Sequence, residues 1–247
     1  MSRIPVTLTR VEELAGGIRR LRFLLPEHYR FTAGQYLLLY PARDADGIPF
    51  SIASAPADLP ELELHYGETP GSPDTDSMTA LLTAWERGDA PDVALSEPAG
   101  TIRCETPHTR RLLLIVAGTG LAQAYGIIRH LSGTHQQQPV TLFHHASTDE
   151  GLYLDPELKE LDQVLPWFHY APRIGLLSRD SNPLTNAEAW LQHERHKPGP
   201  AGIQHITDAD VILCGGPDFV YTISDALSDL ALHPRSLQAD AFSYAPR

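Results

Sequence analysis

The pattern of hydrophobic and polar positions changes character at about residue 104. Before it, apolar and polar residues alternate with a period of two in Val6-Thr-Leu-Thr-Arg-Val11, in Ile18 to Phe23 and in Leu62-Glu-Leu-His-Tyr66, and Tyr36-Leu-Leu-Leu-Tyr40 is a short apolar run soon after Gly34. Period-two alternation places one side of a strand on a core and the other in water. Short runs of this kind, broken by Gly, Pro and Asp clusters, predict a small antiparallel barrel or sandwich. One helix interrupts them. Met78, Leu81, Leu82 and Trp85 fall at i, i+3, i+4 and i+7 within Ser77 to Arg87, and Gly88 ends the pattern.

From about Arg111 the texture is different. Leu112-Leu-Leu-Ile-Val-Ala117 is a continuous apolar run, as a strand buried on both faces requires. Gly118-Thr-Gly120 follows, then a helical stretch from Leu121 to Leu131, and Val140-Thr-Leu-Phe143 reads as a second buried strand. Leu152 to Leu161 has a helical pattern, Trp167 to Tyr170 suits a third strand, and Asp210-Val-Ile-Leu-Cys214 is another buried strand. Gly215-Gly-Pro217 then opens a helix to about Leu232. Repeated strand, turn and helix predict a parallel sheet with crossovers. The expected architecture is β + α/β: an antiparallel β-barrel over residues 1–104, then a parallel-sheet α/β domain over 109–247, joined near the polar, proline-bearing Glu105-Thr-Pro-His108. Residues 173–208, rich in Pro, Gly, His and Asn, are the least legible stretch, with a short helix expected from Ala187 to Glu194.

Composition narrows the function. A length of 247 residues suits one large or two modest domains, and 42% hydrophobic with 20% charged residues describes an ordinary globular chain. A net charge of −12 repels phosphate backbones, so nucleic acid is not the expected partner. The two cysteines, Cys104 and Cys214, are too few for a four-cysteine iron–sulfur cluster, a Cys-rich zinc site or a disulfide framework. No basic start followed by an apolar core marks a signal peptide, and no apolar run is long enough to span a bilayer. A cytoplasmic location is expected. His193-Glu-Arg-His196 lacks the spacing of a zinc helix, so no metal is expected.

Two turns carry candidate chemistry. Gly118-Thr-Gly120 and Cys214-Gly-Gly-Pro217 each sit between a buried strand and a helix. Glycine lets the backbone approach a ligand there, and a helix N-terminus offers unpaired N–H groups to phosphate. Ligands of open α/β sheets bind at such strand ends. The common dinucleotide fingerprint is absent, because Gln123 stands where its third glycine would be.

Gly34-Gln-Tyr36, Pro49-Phe-Ser-Ile-Ala-Ser54, Pro98-Ala-Gly100, Ala117-Gly-Thr-Gly120 and Cys214-Gly-Gly-Pro217 occur in one order. That series resembles the ferredoxin–NADP reductase superfamily, and most of all its NAD(P)H:flavin oxidoreductase branch, whose terminal Asp-Ala-Phe segment Ala239-Asp-Ala-Phe-Ser-Tyr244 also resembles. The resemblance implies a flavin-binding barrel, a nicotinamide-nucleotide domain and hydride transfer from NAD(P)H to FAD, FMN or riboflavin between them. It places Tyr36, Pro49, Phe50, Ser51, Ile52 and Ala53 along the flavin, with the Ser51 hydroxyl at the reacting nitrogen. It places Met78 and Thr79 at a flavin pyrophosphate, and Gly118, Thr119, Gly120, Gly215, Gly216 and Pro217 at the nucleotide. Cys214 would pack near the nicotinamide carbon that gives up hydride, and Phe242 and Tyr244 would cover the other flavin face or simply pack the C-terminus. Plain core packing for Phe50, an ordinary helix start at Met78-Thr79 and a small buried hydrophobe at Cys214 are the competing readings.

Two departures matter. The family arginine that pairs a flavin phosphate is replaced by Ile48, with Arg43 nearby as a candidate substitute, which leaves two readings open: a prosthetic flavin or a transient substrate held by its ring. Ser147 stands where relatives carry a nucleotide-contacting arginine, which favours NADH over NADPH, while His144 and His145 are candidates for adenosine phosphates. The competing functions are an FAD-containing reductase component of an oxygenase or ferredoxin system, which would dock an oxygenase or electron-carrier protein, and a non-catalytic binding module on the same fold.

Overall fold

The structure is a computed structural model that describes residues 2–68, 72, 74–104, 109–175, 177–179, 186–197 and 203–245, apart from the side chains of Ser243 and Tyr244. The expected linker at 105–108 lies outside these residues.

The first half forms a six-stranded antiparallel sheet from β1 (Ile4–Glu13), β2 (Ile18–Leu24), β3 (Tyr36–Tyr40), β4 (Ile48–Ser51), β5 (Glu61–Gly67) and β6 (Val93–Leu95), in the order β4-β3-β6-β1-β2-β5. Its edge strands meet. Ile52 bridges to Leu64, and the Ala53 N–H donates to the Glu63 carbonyl at 2.9 Å, which closes the sheet into a barrel and leaves no open edge there. The core is built from alternate residues, among them Leu21 and Phe23 of β2, Leu37 and Leu39 of β3, and Leu62 and Leu64 of β5. Helix α1 (Asp74–Glu86) adds Met78, Leu81 and Leu82 to this core. It begins three residues before the sequence suggests, because the apolar face sets in only at Met78 while the polar first turn is already helical.

The second half is a five-stranded parallel sheet of β7 (Arg111–Ala117), β8 (Val140–Ala146), β9 (Phe168–Ile174), β10 (Ala209–Cys214) and β11 (Ser236–Gln238), in the order β11-β10-β7-β8-β9. Its helices are α2 (Leu121–Ser132), α3 (Asp155–Val164), α4 (Ala187–His196), α5 (Pro217–Asp229) and α6 (Ala241–Tyr244). The apolar run of β7 is used on both faces. Leu112, Leu114 and Val116 join the core with α2 and α3, whereas Leu113, Ile115 and Ala117 join the core with α4 and α5. The chain leaves β7 toward β8 and β9, then crosses to the other side for β10 and β11. The gap above the C-terminal ends of β7 and β10 is therefore the topological switch point of the sheet.

The two halves share packing. Ala33, Ala53, Ile102 and Cys104 belong to the same buried cluster as β7 and α2. A Cβ on Gly126 of α2 would lie 2.5 Å from the Ile52 carbonyl oxygen and 3.1 Å from that of Ser54, so only glycine lets this helix lie on the strand exit from β4. Among the described residues no helix is long and apolar enough to cross a membrane.

Candidate active site

A cleft of about 650 Å³ opens between the barrel and the switch point. On the barrel side its wall is made by Tyr36 and Leu38 of β3, by Ile48, Pro49, Phe50 and Ser51 of β4, and by His65, Tyr66 and Gly67 of β5. Strands β3 and β4 are registered so that Tyr36 faces Ser51 and Leu37 faces Phe50. Phe50 and Tyr66 lie with ring centroids 6.3 Å apart, tilted at 48°. The result is an apolar, aromatic wall with a hydroxyl at its inner end, suited to a flat heteroaromatic ring. Ser72, Asp74 and Thr75, at the start of α1, extend this wall.

Facing it are Ala117, Gly118, Thr119 and Gly120 after β7, and Leu213, Cys214, Gly215 and Gly216 after β10. The two turns touch. A Cβ on Gly120 would collide with the Cys214 carbonyl group and lie 2.5 Å from the Gly215 nitrogen. Helices α2 and α5 start from these turns, so their free N–H groups and positive dipole ends point at the same space. A dinucleotide pyrophosphate fits this arrangement.

Cys214 is buried and its thiol is pushed well above the usual range, by burial first and by Asp240 second. It has no thiolate character and can serve only as a small, soft contact. Gln123 explains the missing third glycine. Its amide donates to the Gly34 carbonyl at 2.5 Å and to Asp240 Oδ2 at 2.7 Å, tying the barrel, α2 and the C-terminal segment together behind the cleft. Burial raises the Asp240 carboxyl, against the hydrogen bonds from Gln123 and Thr101.

A buried ionic network backs the other end. Arg20, 6% exposed, donates from Nη2 to both Glu157 oxygens at 2.7 and 2.9 Å, and its Nε lies 3.1 Å from Glu63 Oε1. His65 Nε2 is 2.9 Å from Glu63 Oε1 and its Nδ1 is 3.1 Å from the Tyr153 hydroxyl. Both contacts are satisfied when Nε2–H donates to the carboxylate and Tyr153 donates to Nδ1. Burial drives His65 below its ordinary value even though Glu63 favours its charge. Glu63 itself stays low: burial opposes ionisation, but His65, Arg20 and Arg129 overcome it. Arg20, Glu63 and His65 belong to the barrel, whereas Tyr125, Arg129, Tyr153 and Glu157 belong to the α/β half.

The cleft thus gathers Tyr36, Pro49, Phe50, Ser51, Gly118, Thr119, Gly120, Cys214, Gly215 and Gly216 of the residues singled out in the sequence. It does not gather the others. Ile52 and Ala53 are buried behind the wall, where they close the barrel and receive α2. Met78 is in the barrel core and Thr79 is exposed on α1; the part of α1 that reaches the cleft is Asp74 and Thr75. Pro217 opens α5 outside the wall, and Phe242 packs on Tyr221 at 5.7 Å. The Tyr244 side chain lies outside the described residues. His144 and His145 are fully buried inside β8, and Arg43 is exposed near the β3–β4 turn, away from the wall. Among the described residues no group of His, Cys, Asp and Glu could hold a metal ion. His65, Tyr66, Ser72, Asp74, Thr75 and Asp240 are lining residues that the sequence reading passed over. Only the alternation of β5 and the terminal Asp-Ala-Phe hinted at any of them.

Residues 114–225 match the family model described as an oxidoreductase NAD-binding domain. The reductase component 1 of terephthalate 1,2-dioxygenase from Comamonas sp is 27% identical over 230 residues, which are 92% of this chain. This chain spans only 64% of the length of that relative. A probable flavin reductase from Vibrio harveyi is 26% identical over 244 residues, covering 96% of this chain and 98% of its own length. A ferredoxin NADP+ reductase from Neisseria gonorrhoeae, solved with bound FAD and NADP, superposes with a TM-score of 0.70 at 19% identity, covering 96% of this chain and 97% of that one. That likeness shows the two-part fold.

Proposed function

We propose that this chain, a member of the ferredoxin–NADP reductase superfamily, is an NAD(P)H-dependent oxidoreductase that reduces a flavin within the cleft, with residues 1–104 seating the flavin ring and residues 109–247 seating the nucleotide. The observation that carries this reading is the opposition, in one cavity, of the aromatic wall of Tyr36, Phe50 and Ser51 and the two glycine turns at the sheet switch point. A flavin bound there supplies the redox chemistry by accepting hydride from the nicotinamide ring. The chain supplies binding and alignment. Phe50 and Tyr36 offer faces for the flavin ring, and the Ser51 hydroxyl can donate or accept a hydrogen bond at the reacting nitrogen. The turns at Gly118–Gly120 and Cys214–Gly216 let the nicotinamide lie close, with Cys214 as a neutral contact beside it. Holding the rings in contact and excluding water is the positional part of catalysis.

The donor expected is NADH, supported by Ser147 at the end of β8, where an arginine would be needed to pair a 2′-phosphate. The flavin ring fits the wall; among the described residues FAD or FMN phosphates find no lysine or arginine on it, which supports flavin as an exchanging substrate. The anaerobic consumption of NADH by the purified protein, with and without added riboflavin, FMN and FAD, tests the proposal. A rate that tracks added flavin supports it, and no consumption with any flavin overturns it.

The second reading is a reductase component that passes electrons to an oxygenase or carrier protein. The relation to the terephthalate dioxygenase reductase favours it, and a rate that appears only with such a partner would select it.

A further inference from the structure

Resting on the flavin-reducing reading above, we propose that His65 is the switchable positive charge of the cleft: its imidazole is neutral while the cleft holds oxidised flavin and takes up a proton when hydride arrives, so that the imidazolium balances the negative charge the hydride brings. The ionisable side chains that line the cleft, among the described residues, are His65, Asp74, Cys214 and Asp240, together with the phenols of Tyr36 and Tyr66. Of these only the imidazole can become a cation. In the transfer a C–H bond of the nicotinamide breaks, its hydrogen and electron pair pass to the flavin, and NADH becomes NAD+. The flavin is left one charge more negative, and one proton from bulk water settles on His65. Charge near the ring is one of the means by which a protein tunes a bound flavin.

The contacts of the imidazole fit both of its states. Its side chain has no exposed surface, and its nitrogens are held by Glu63 Oε1 at 2.9 Å and the Tyr153 hydroxyl at 3.1 Å. The neutral ring donates Nε2–H to the carboxylate and accepts at Nδ1 from Tyr153. The charged ring donates from both nitrogens, and a hydroxyl can turn from donor to acceptor, so the proton is gained without a broken contact. The surrounding charges leave the ring near balance. Burial and then Arg20 of β2 disfavour the cation; Glu63 of the same strand and Glu157 of α3 favour it, and burial outweighs them at rest. Arg22 of β2 and Arg129 of α2 lie 3.5 Å from Glu63, and Arg129 is also paired with Asp58. The phenols of Tyr125 on α2 and Tyr153 are pushed up by burial and stay neutral, as does His144 of β8, whose ring lies edge-on to Tyr153 at 6.3 Å. One further negative charge, on the cleft side, tips this balance toward the imidazolium. Glu63 also lines a second hollow, of about 130 Å³, with Arg22, Asp58 and Arg129, which shares no lining residue with the cleft. The pair therefore reaches bulk water from outside the cleft.

The charge of His65 is read by NMR on protein carrying carbon-13 at histidine Cε1, titrated with pH under nitrogen in the presence of oxidised riboflavin and of riboflavin reduced with dithionite. The His65 signal is identified by its absence from His65→Gln, or, if that variant does not fold, by its displacement in Tyr153→Phe. The midpoint of the ring is expected at least about one pH unit higher with reduced than with oxidised riboflavin, a gain of about tenfold or more in proton affinity, the size expected for one charge a few ångströms away in a partly screened site. Equal midpoints in the two complexes, or a ring already charged with oxidised riboflavin at pH ~7, overturn the proposal while leaving flavin reduction intact. Absence of riboflavin fluorescence quenching together with absence of NADH oxidation with every flavin overturns both.

Discussion

Acidification should unfold this protein through two histidines that take no part in the cleft. His144 and His145 are adjacent on β8 and have no exposed surface. His145 stands edge-on to Trp190 at 4.8 Å and near Phe219 at 5.9 Å; burial, then the positive charge of Arg173, brings it down to about 3. His144, within 3.2 Å of the Tyr170 hydroxyl, is brought down to about 4 by burial. An unfolded histidine takes its proton near pH ~6.5. Above that value neither state is protonated and the two residues leave stability unchanged. Below it the unfolded chain binds protons that the fold refuses, so stability falls as pH drops toward the folded values. The slope is ~1.4 kcal/mol per pH unit for each histidine, so each removes about 2 kcal/mol between pH 7.5 and 5.0. Against a typical total of ~5–15 kcal/mol, their joint effect is a large fraction. Urea unfolding at both pH values, for the natural protein and for His145→Leu, isolates one share. The variant should lose about 2 kcal/mol less on acidification, whatever its stability at pH 7.5. Identical losses, or a His145 imidazole that titrates above pH ~5 in the folded protein by NMR, would refute the reasoning.

Three further outcomes follow from contacts. Gly126→Ala forces a methyl onto the Ile52 carbonyl and should lower stability by about 1–3 kcal/mol, seen as a reduced Tm, with a matching loss of flavin binding because the strand exit from β4 must shift. Arg20→Met leaves Glu63 buried without its closest guanidinium and should cost about 3–5 kcal/mol in urea unfolding; a cost below ~1 kcal/mol would show that the network is ornamental. Cys214 should resist iodoacetamide in the folded protein at pH 8 and react after denaturation, and Cys214→Ala should keep NADH oxidation within about tenfold, since its thiol is neutral and buried. A loss of a thousandfold would mean that the sulfur does more than pack.

The period-two runs of β1, β2 and β5 and the apolar runs of β7, β8 and β10 were legible because each has a face, or two faces, on a core. Strands β4 and β6 were not. Ile48–Ser51 carries a proline, and Val93–Leu95 is three residues long; both are held by their neighbours in the barrel and show little pattern of their own. Strand β11 is fixed in the same way by pairing with β10. In the cleft, the glycine turns and the Phe50–Ser51 segment could be seen because backbone approach and a flat ring demand particular residue types. Asp74 could not, because a single carboxylate in a turn reads like any solvated one until the fold shows what it faces, and Asp240 showed only through the terminal Asp-Ala-Phe segment. Ile52 and Ala53 stood beside the motif in sequence, but just past the end of β4 Ile52 turns into the barrel core and Ala53 into the core shared with β7 and α2.

The packing between the halves has a consequence for how the molecule comes apart. Ala33, Ala53, Ile102 and Cys104 lie in a core built mainly by the second half, and the carboxylate of Glu63 is neutralised from both sides of the boundary. A chain severed near residue 104 would leave the barrel with an uncovered apolar patch and stray charges, and the parallel sheet with a hole beside α2. The two sheets should therefore melt in one cooperative transition, and the texture change so plain along the sequence marks a seam in composition that is welded in energy.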